Sequence, residues 1–172
     1  KRLIVEKGIY PKLTEALTKS FADFTPSVVG DMAAEMGPLV AKRQLELLKE
    51  QVDDAKAKGA EVLIGGNSLE DKLGGAFFEP TLLTNVHKGM RVWSEEVFGP
   101  VLPIITFETE EEALLLANNT PYGLGGYVFS SNLEKAERIA KQIHTGQVSI
   151  NNTGWQKPSI PFGGCKASGF GR

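Results

Sequence analysis

Short apolar runs alternate with amphipathic stretches along this chain, and that alternation limits its fold more than any other feature. Arg2-Leu3-Ile4-Val5, Glu61-Val62-Leu63-Ile64, Val101 to Phe107, Gly126 to Ser130 and Val148 to Asn151 read as strands. Between them, Tyr10 to Phe24 carries Leu13, Leu17 and Phe21 at helical spacing. Pro38 to Lys58 presents Leu39, Leu45, Leu48 and Val52 on one face and Lys42, Arg43, Glu46, Lys49 and Glu50 on the other. Two more helices are expected, from Thr109 to about Ala117 and from Asn132 to His144. Apolar strands interleaved with helices predict an α/β fold: an open, mainly parallel sheet flanked by helices.

The boundaries carry local signals. Pro11 falls in a first helical turn, where its missing N–H does no harm, and Gly59 is a natural stop. Thr109 followed by Glu110, Glu111 and Glu112 is an N-cap with acidic residues placed against the helix dipole. Ala76 to Leu83 contains Pro80 and is expected to be an edge or irregular strand. Val28 to Pro38 and Asn152 to Arg172 read as loops, the second rich in glycine and proline. An apolar strand at the second residue leads us to expect that the natural chain extends upstream.

The 172 residues fit one domain, with a formal charge of −2. Lysines and glutamates are interleaved, as in Glu134-Lys135-Ala136-Glu137-Arg138, which argues against binding nucleic acid or an anionic membrane. No apolar run approaches the roughly 20 residues of a membrane helix. A single cysteine excludes an internal disulfide and favours a reducing, cytoplasmic setting.

Three features invite a chemical reading. Cys165, in Pro161-Phe162-Gly163-Gly164-Cys165-Lys166, is either a nucleophile activated by Lys166 or a small residue in a Gly-rich loop. Neither His87 nor His144 forms a recognisable arrangement with it, so no metal site is expected. The Gly-rich tail is not a phosphate loop, because Lys166 precedes Ala167-Ser168-Gly169 instead of following the second glycine, and no helix follows. Ser94-Glu95-Glu96-Val97-Phe98-Gly99-Pro100 sets two carboxylates beside an aromatic ring. A carboxylate can hold the hydroxyls of a ribose and an aromatic can pack on a flat ring. Equally, this is a solvated acidic loop anchored in the core by Phe98.

Three stretches, taken in order, resemble signatures of the aldehyde dehydrogenase superfamily. They are Glu95 to Val101, Ala117-Asn118-Asn119-Thr120-Pro121-Tyr122-Gly123-Leu124, and Pro161 to Arg172. Met36-Gly37-Pro38-Leu39, Gly65-Gly66 and Phe78-Glu79-Pro80-Thr81 match as well, so the resemblance spans the chain. It implies that Glu96 holds the nicotinamide ribose of NAD or NADP and that Phe98 packs near the nicotinamide. It implies that Asn151, at the end of the last strand, and Phe162 line the aldehyde tunnel, and that Trp155 to Ile160, with Trp155, Lys157 and Ser159, form the substrate loop. Lys157 or Ser159 would meet a substrate carboxylate if the aldehyde is succinate semialdehyde, the branch the texture of this chain resembles.

The family chemistry passes a hydride from a cysteine thiohemiacetal to NAD(P)+ and then hydrolyses a thioester. The resemblance places the cysteine, the glutamate base and the cofactor-binding domain before Lys1, and the oligomerisation strand after Arg172. Cys165 falls at a variable position of its motif and takes no nucleophile role. Residues 1–172 are therefore expected to be a partial catalytic domain with no catalytic residue of its own, inactive alone, from a homo-oligomer (dimer or tetramer) acting on a small aldehyde. The alternative is a non-catalytic fragment or truncated paralogue that acts as a binding module. A third reading makes Cys165 a redox-sensing thiol.

Overall fold

A computed structural model describes residues 1–24, 26–27, 34–154 and 159–171. They group into two compact units, Lys1–Phe107 and Glu108–Arg172.

The first unit contains β1 (Leu3–Glu6), α1 (Tyr10–Ala22), α2 (Lys42–Ala57), β2 (Glu61–Ile64), α3 (Glu70–Leu73), β3 (Thr81–Thr84), α4 (Arg91–Ser94) and β4 (Val101–Phe107). Its four strands lie in the order β1-β4-β3-β2. β4 runs parallel to both β1 and β3, whereas β2 is antiparallel to β3. Successive side chains of a strand face opposite ways, and the two faces meet different helices. Leu83, Val97 and Val101 join Leu45, Leu48, Val52 and Ala55 of α2 in one core cluster. Val5, Leu82 and Ile104 join Leu13, Leu17 and Phe21 of α1 in the other. Burying each such aliphatic side chain contributes roughly 1.5–3 kcal/mol, so helices cover both faces as the strand and helix alternation predicts.

Two expectations need correcting here. β3 is an inner strand with all four residues buried, not an edge. Pro80 lies just outside it, so its missing N–H interrupts no ladder bond, and pairing opens with Thr81 N–H donating to the Pro100 carbonyl at 2.8 Å. α2 starts at Lys42 and not at Pro38. The Leu39 N–H donates to the Ala76 carbonyl at 2.8 Å, which holds that segment extended, yet Leu39 still packs against the α2 cluster.

The second unit contains α5 (Glu110–Asn118), β5 (Tyr122–Gly123), β6 (Gly125–Val128), α6 (Leu133–Ala140), β7 (Gln147–Ile150) and β8 (Cys165–Lys166). β6 and β7 are parallel, and β5 and β8 antiparallel. Thr109 caps α5 as expected, its hydroxyl accepting from Glu112 N–H at 3.2 Å while the Glu112 carboxylate accepts from Glu108 N–H at 2.8 Å. Asn132 caps α6 through Lys135 N–H. That helix ends at Ala140, short of the expected His144. The side chain of Asn118 donates to the Gln142 carbonyl at 2.9 Å and accepts from His144 N–H at 2.7 Å, which supplies non-helical partners to the last turn. Among the described residues of this unit only Val128 and Ala136 are buried hydrophobics, while Leu115, Tyr127, Phe129, Leu133 and Phe162 are exposed.

Candidate functional site

In the first unit, one stripe of α2 grips the loop from Glu95 to Gly99. Gln44, Leu48 and Gln51 stand at i, i+4 and i+7 and so share a helix face. The Gln44 amide donates to the Phe98 carbonyl at 3.1 Å. The Gln51 amide donates to Glu95 Oε2 at 3.0 Å and to the Glu96 carbonyl at 3.2 Å. Leu48 fills the space beside Gly99, where an added Cβ would meet its Cδ2 at 2.5 Å. Val97, 2% exposed, plugs the loop into the core, and Phe98 is 62% exposed. The anchor is therefore Val97 and not Phe98, because the chain turns the side chains at 96 and 98 to the side opposite 97.

The two carboxylates have different employments. Glu95 Oε1 accepts from Arg91 Nε at 2.8 Å, and Arg91 also binds Glu50 at 3.1 Å. The Arg91 guanidinium first, and the Gln51 amide second, hold the Glu95 carboxyl below the usual carboxylate range. Glu96 is exposed, and its carboxylate accepts no hydrogen bond among the described residues. An exposed carboxylate next to a solvent-facing aromatic ring suits a ligand with paired hydroxyls and a flat heterocycle. Gln44, Gln51 and Arg91 were not singled out in the sequence. Arg91 at i−4 from Glu95 is a visible signal, but a partner 44 residues away is not.

In the second unit, Asn151 follows β7 with φ of 51°. Its side-chain Oδ1 accepts from Ser130 N–H and its Nδ2 donates to the Ser130 carbonyl, both at 2.9 Å. Both polar ends are thus engaged by backbone. Ser159 is exposed, and Trp155 and Lys157 lie outside the described residues. Phe162 is 52% exposed, between two pinned neighbours. The Pro161 carbonyl accepts from Gln147 at 2.9 Å, and Gly163 packs so tightly on Gly146 that a Cβ there would meet its carbonyl oxygen at 1.7 Å.

Cys165 is half-buried in β8, its Sγ facing the carbonyls of His144 at 3.2 Å and Gly123 at 3.4 Å. Lys166 does not serve the thiol. Its ammonium donates to the carbonyls of Asn118 at 3.0 Å and Thr120 at 3.2 Å, at the end of α5. Among the described residues no group of three His, Cys, Asp or Glu could hold a metal ion, and no helix is long and apolar enough to cross a membrane.

Comparison with known proteins decides the lineage. The model of the aldehyde dehydrogenase family matches residues 1–172. The chain belongs to the aldehyde dehydrogenase family. It is 44% identical, over its whole length, to a succinate-semialdehyde dehydrogenase [NADP(+)] of Deinococcus radiodurans, covering 36% of that protein. It is 42% identical to a peroxisomal aminoaldehyde dehydrogenase of Pisum sativum, over 99% of the chain and 34% of the relative. A crystal structure of betaine aldehyde dehydrogenase from Staphylococcus aureus in complex with NAD+ superposes with a TM-score of 0.93 at 40% identity, over 98% of this chain and 34% of that one. An indole-3-acetaldehyde dehydrogenase complexed with NAD+ gives a TM-score of 0.95 at 36% identity, over 99% of this chain and 34% of that one. This aldehyde dehydrogenase chain thus spans about a third of the length of the relatives it matches.

Proposed function

We propose that these residues are part of the catalytic domain of an enzyme that oxidises a small aldehyde to its carboxylic acid with NAD+ or NADP+. The observation that carries this reading is the division of labour at Glu95-Glu96: one carboxylate is spent on the fold and the next is open beside the exposed Phe98 ring. Glu96 would hold the two hydroxyls of the nicotinamide ribose, and Phe98 would limit where the nicotinamide can lie. The cofactor, when bound, accepts the hydride. Asn151 would set the course of the chain leaving β7, with Trp155, Lys157, Ser159 and Phe162 meeting the aldehyde. The cysteine nucleophile and glutamate base belong to residues outside this chain. The exposed apolar side chains of the second unit support the partial-domain reading, since a longer chain or a second subunit of a dimer or tetramer would cover them. A cytoplasmic setting is part of the same reading.

Succinate semialdehyde is the substrate we favour over betaine aldehyde or an aminoaldehyde. The support is the 44% relative, together with Lys157 and Ser159 as groups able to bind a second carboxylate. The test is NAD(P)H formation by the longest natural protein carrying these residues, assayed with all three aldehydes. We expect turnover with succinate semialdehyde, none from residues 1–172 alone, and a loss of about tenfold in kcat for Glu96→Gln with little change in aldehyde KM. Unchanged turnover in Glu96→Gln would remove Glu96 from the site, and no turnover with any aldehyde would leave a binding module.

A further inference from the structure

We infer that Gln51 is a positioning residue for Glu96: its buried amide holds the Glu95 carboxylate and the Glu96 carbonyl, on either side of the Glu96 Cα, so that the Glu96 carboxylate points outward at a set place. The inference rests on the reading of Glu96 as the ribose-holding carboxylate and adds the group that acts through it.

Gln51 is 1% exposed, on the apolar stripe of α2 among Leu45, Leu48, Val52 and Ala55. Its Nε2 donates one hydrogen to Glu95 Oε2 and the other to the Glu96 carbonyl. Both acceptors are oxygens that cannot donate, so the amide has a single workable orientation. That orientation leaves Gln51 Oε1 buried with no hydrogen-bond partner among the described residues. A buried carbonyl oxygen without a partner destabilises the folded chain. Leucine or methionine at this position would pack against the same neighbours without that burden. The orphan oxygen is thus a cost of stability carried by a residue whose two donors both serve the loop.

The loop is held at Glu95, at the Glu96 carbonyl, at Val97 and at the Phe98 carbonyl, while the Glu96 carboxylate is left open. Glu95 is fastened at one oxygen by Arg91 and at the other by Gln51. Val97 sits in the core, and Gln44 holds the Phe98 carbonyl. Fixing the peptide before the ligand arrives spares the ordering that a flexible carboxylate loop would undergo on binding. A carboxylate that must meet two adjacent hydroxyls at once gains most from this, because a small swing of its Cα breaks one of the two contacts.

The experiment is a double-mutant cycle in the longest natural protein carrying these residues, with NAD+ and NADP+ titrated directly and followed by protein fluorescence. Gln51→Met keeps the volume and deletes both donors; Gln51→Asn keeps the amide but withdraws it by one methylene, and stands in if the first does not fold. We expect either variant to weaken cofactor binding about fivefold to tenfold, the worth of one such hydrogen bond, with aldehyde KM changed less than twofold. The melting temperature of Gln51→Met should be unchanged or raised, whereas a purely structural role would lower it. In a Glu96→Ala background the same substitution should add no further loss of cofactor affinity. Additive losses, or unchanged affinity in both Gln51 variants, would overturn the role of Gln51 and leave Glu96 standing. Unchanged affinity in Glu96→Ala alone would overturn the reading of Glu96, and the inference with it.

Discussion

Asn151 clasps the backbone of Ser130 with both ends of its side-chain amide, accepting from the N–H and donating to the carbonyl at 2.9 Å each. It does so at a φ of 51°, where residues other than glycine, asparagine and aspartate seldom sit. Two contributions are therefore separable. Asn151→Ala should lose about 2 kcal/mol, roughly one from the hydrogen bonds and one from the left-handed backbone. Asn151→Gly keeps the backbone comfortable and should lose about half as much. Urea unfolding of the two variants checks this, and equal losses would mean that the backbone conformation contributes nothing.

Gly99 and Leu48 occupy one space. A methyl group at residue 99 would overlap Leu48 Cδ2, so Gly99→Ala should cost about 1–3 kcal/mol by overpacking. Leu48→Ala alone should cost about 2–5 kcal/mol, since Leu48 is fully buried. The double variant should be more stable than the sum of the single losses allows, because the new methyl fills part of the cavity. Strict additivity by thermal unfolding would show that the two do not share the space.

His87 faces two carbonyl oxygens, Lys88 at 3.0 Å from Nδ1 and Lys58 at 3.1 Å from Nε2. A neutral imidazole can donate to only one of them, so both contacts favour the imidazolium. The Lys88 carbonyl first, and the Lys58 carbonyl second, raise its pKa, against partial desolvation and the charge of Lys58. Since the folded pKa lies above the unfolded one, the stabilisation is complete below the unfolded value, about 6.5. It is lost as pH rises through the folded value. His87→Gln should therefore trail the natural chain in stability most near pH 5 and converge on it towards pH 8. A gap that widens with pH would reverse the assignment.

Lys166 stands next to Cys165 in the chain but gives its ammonium to the carbonyls of Asn118 and Thr120. Lys166→Met should therefore loosen the end of α5 without changing the thiol. Alkylation of Cys165 by iodoacetamide between pH 7 and 9 should proceed within about twofold of the natural rate, a margin set by one distant charge in water. A slower reaction of several-fold would restore Lys166 as an activator of the thiol.

What could be read from the sequence, and what could not, follows the range of the interactions involved. Thr109 with its three glutamates announces α5 because the capping hydroxyl and the N–H that donates to it are three residues apart. The alternation of Leu82 and Leu83 between two core clusters follows from strand geometry alone. α6 is shorter than its sequence pattern because Asn118, 24 residues upstream, captures the Gln142 carbonyl. β5 and β8 are two residues each and exist only as a pair separated by about forty positions, so neither carries a pattern of its own. At the candidate site, the sequence shows two adjacent glutamates with Arg91 at helical spacing from the first, but only packing reveals that Gln51 takes up its other oxygen. For Trp155 and Lys157, which lie outside the described residues, the motif is the support.

The pairing of β1 with β4 also has a consequence in time. Leu3 lies opposite Ile104, and among the described residues β4 is the one strand beside β1. A ribosome adding about 5–20 residues each second therefore delivers the first of these strands roughly five to twenty seconds before its partner. During that interval β2 and β3 can already pair, while Leu3, Ile4 and Val5 still wait for the edge of β4. Of the four described strands of this sheet, β1 is made first and is paired only when β4 arrives, so it is the one a chaperone would most usefully hold.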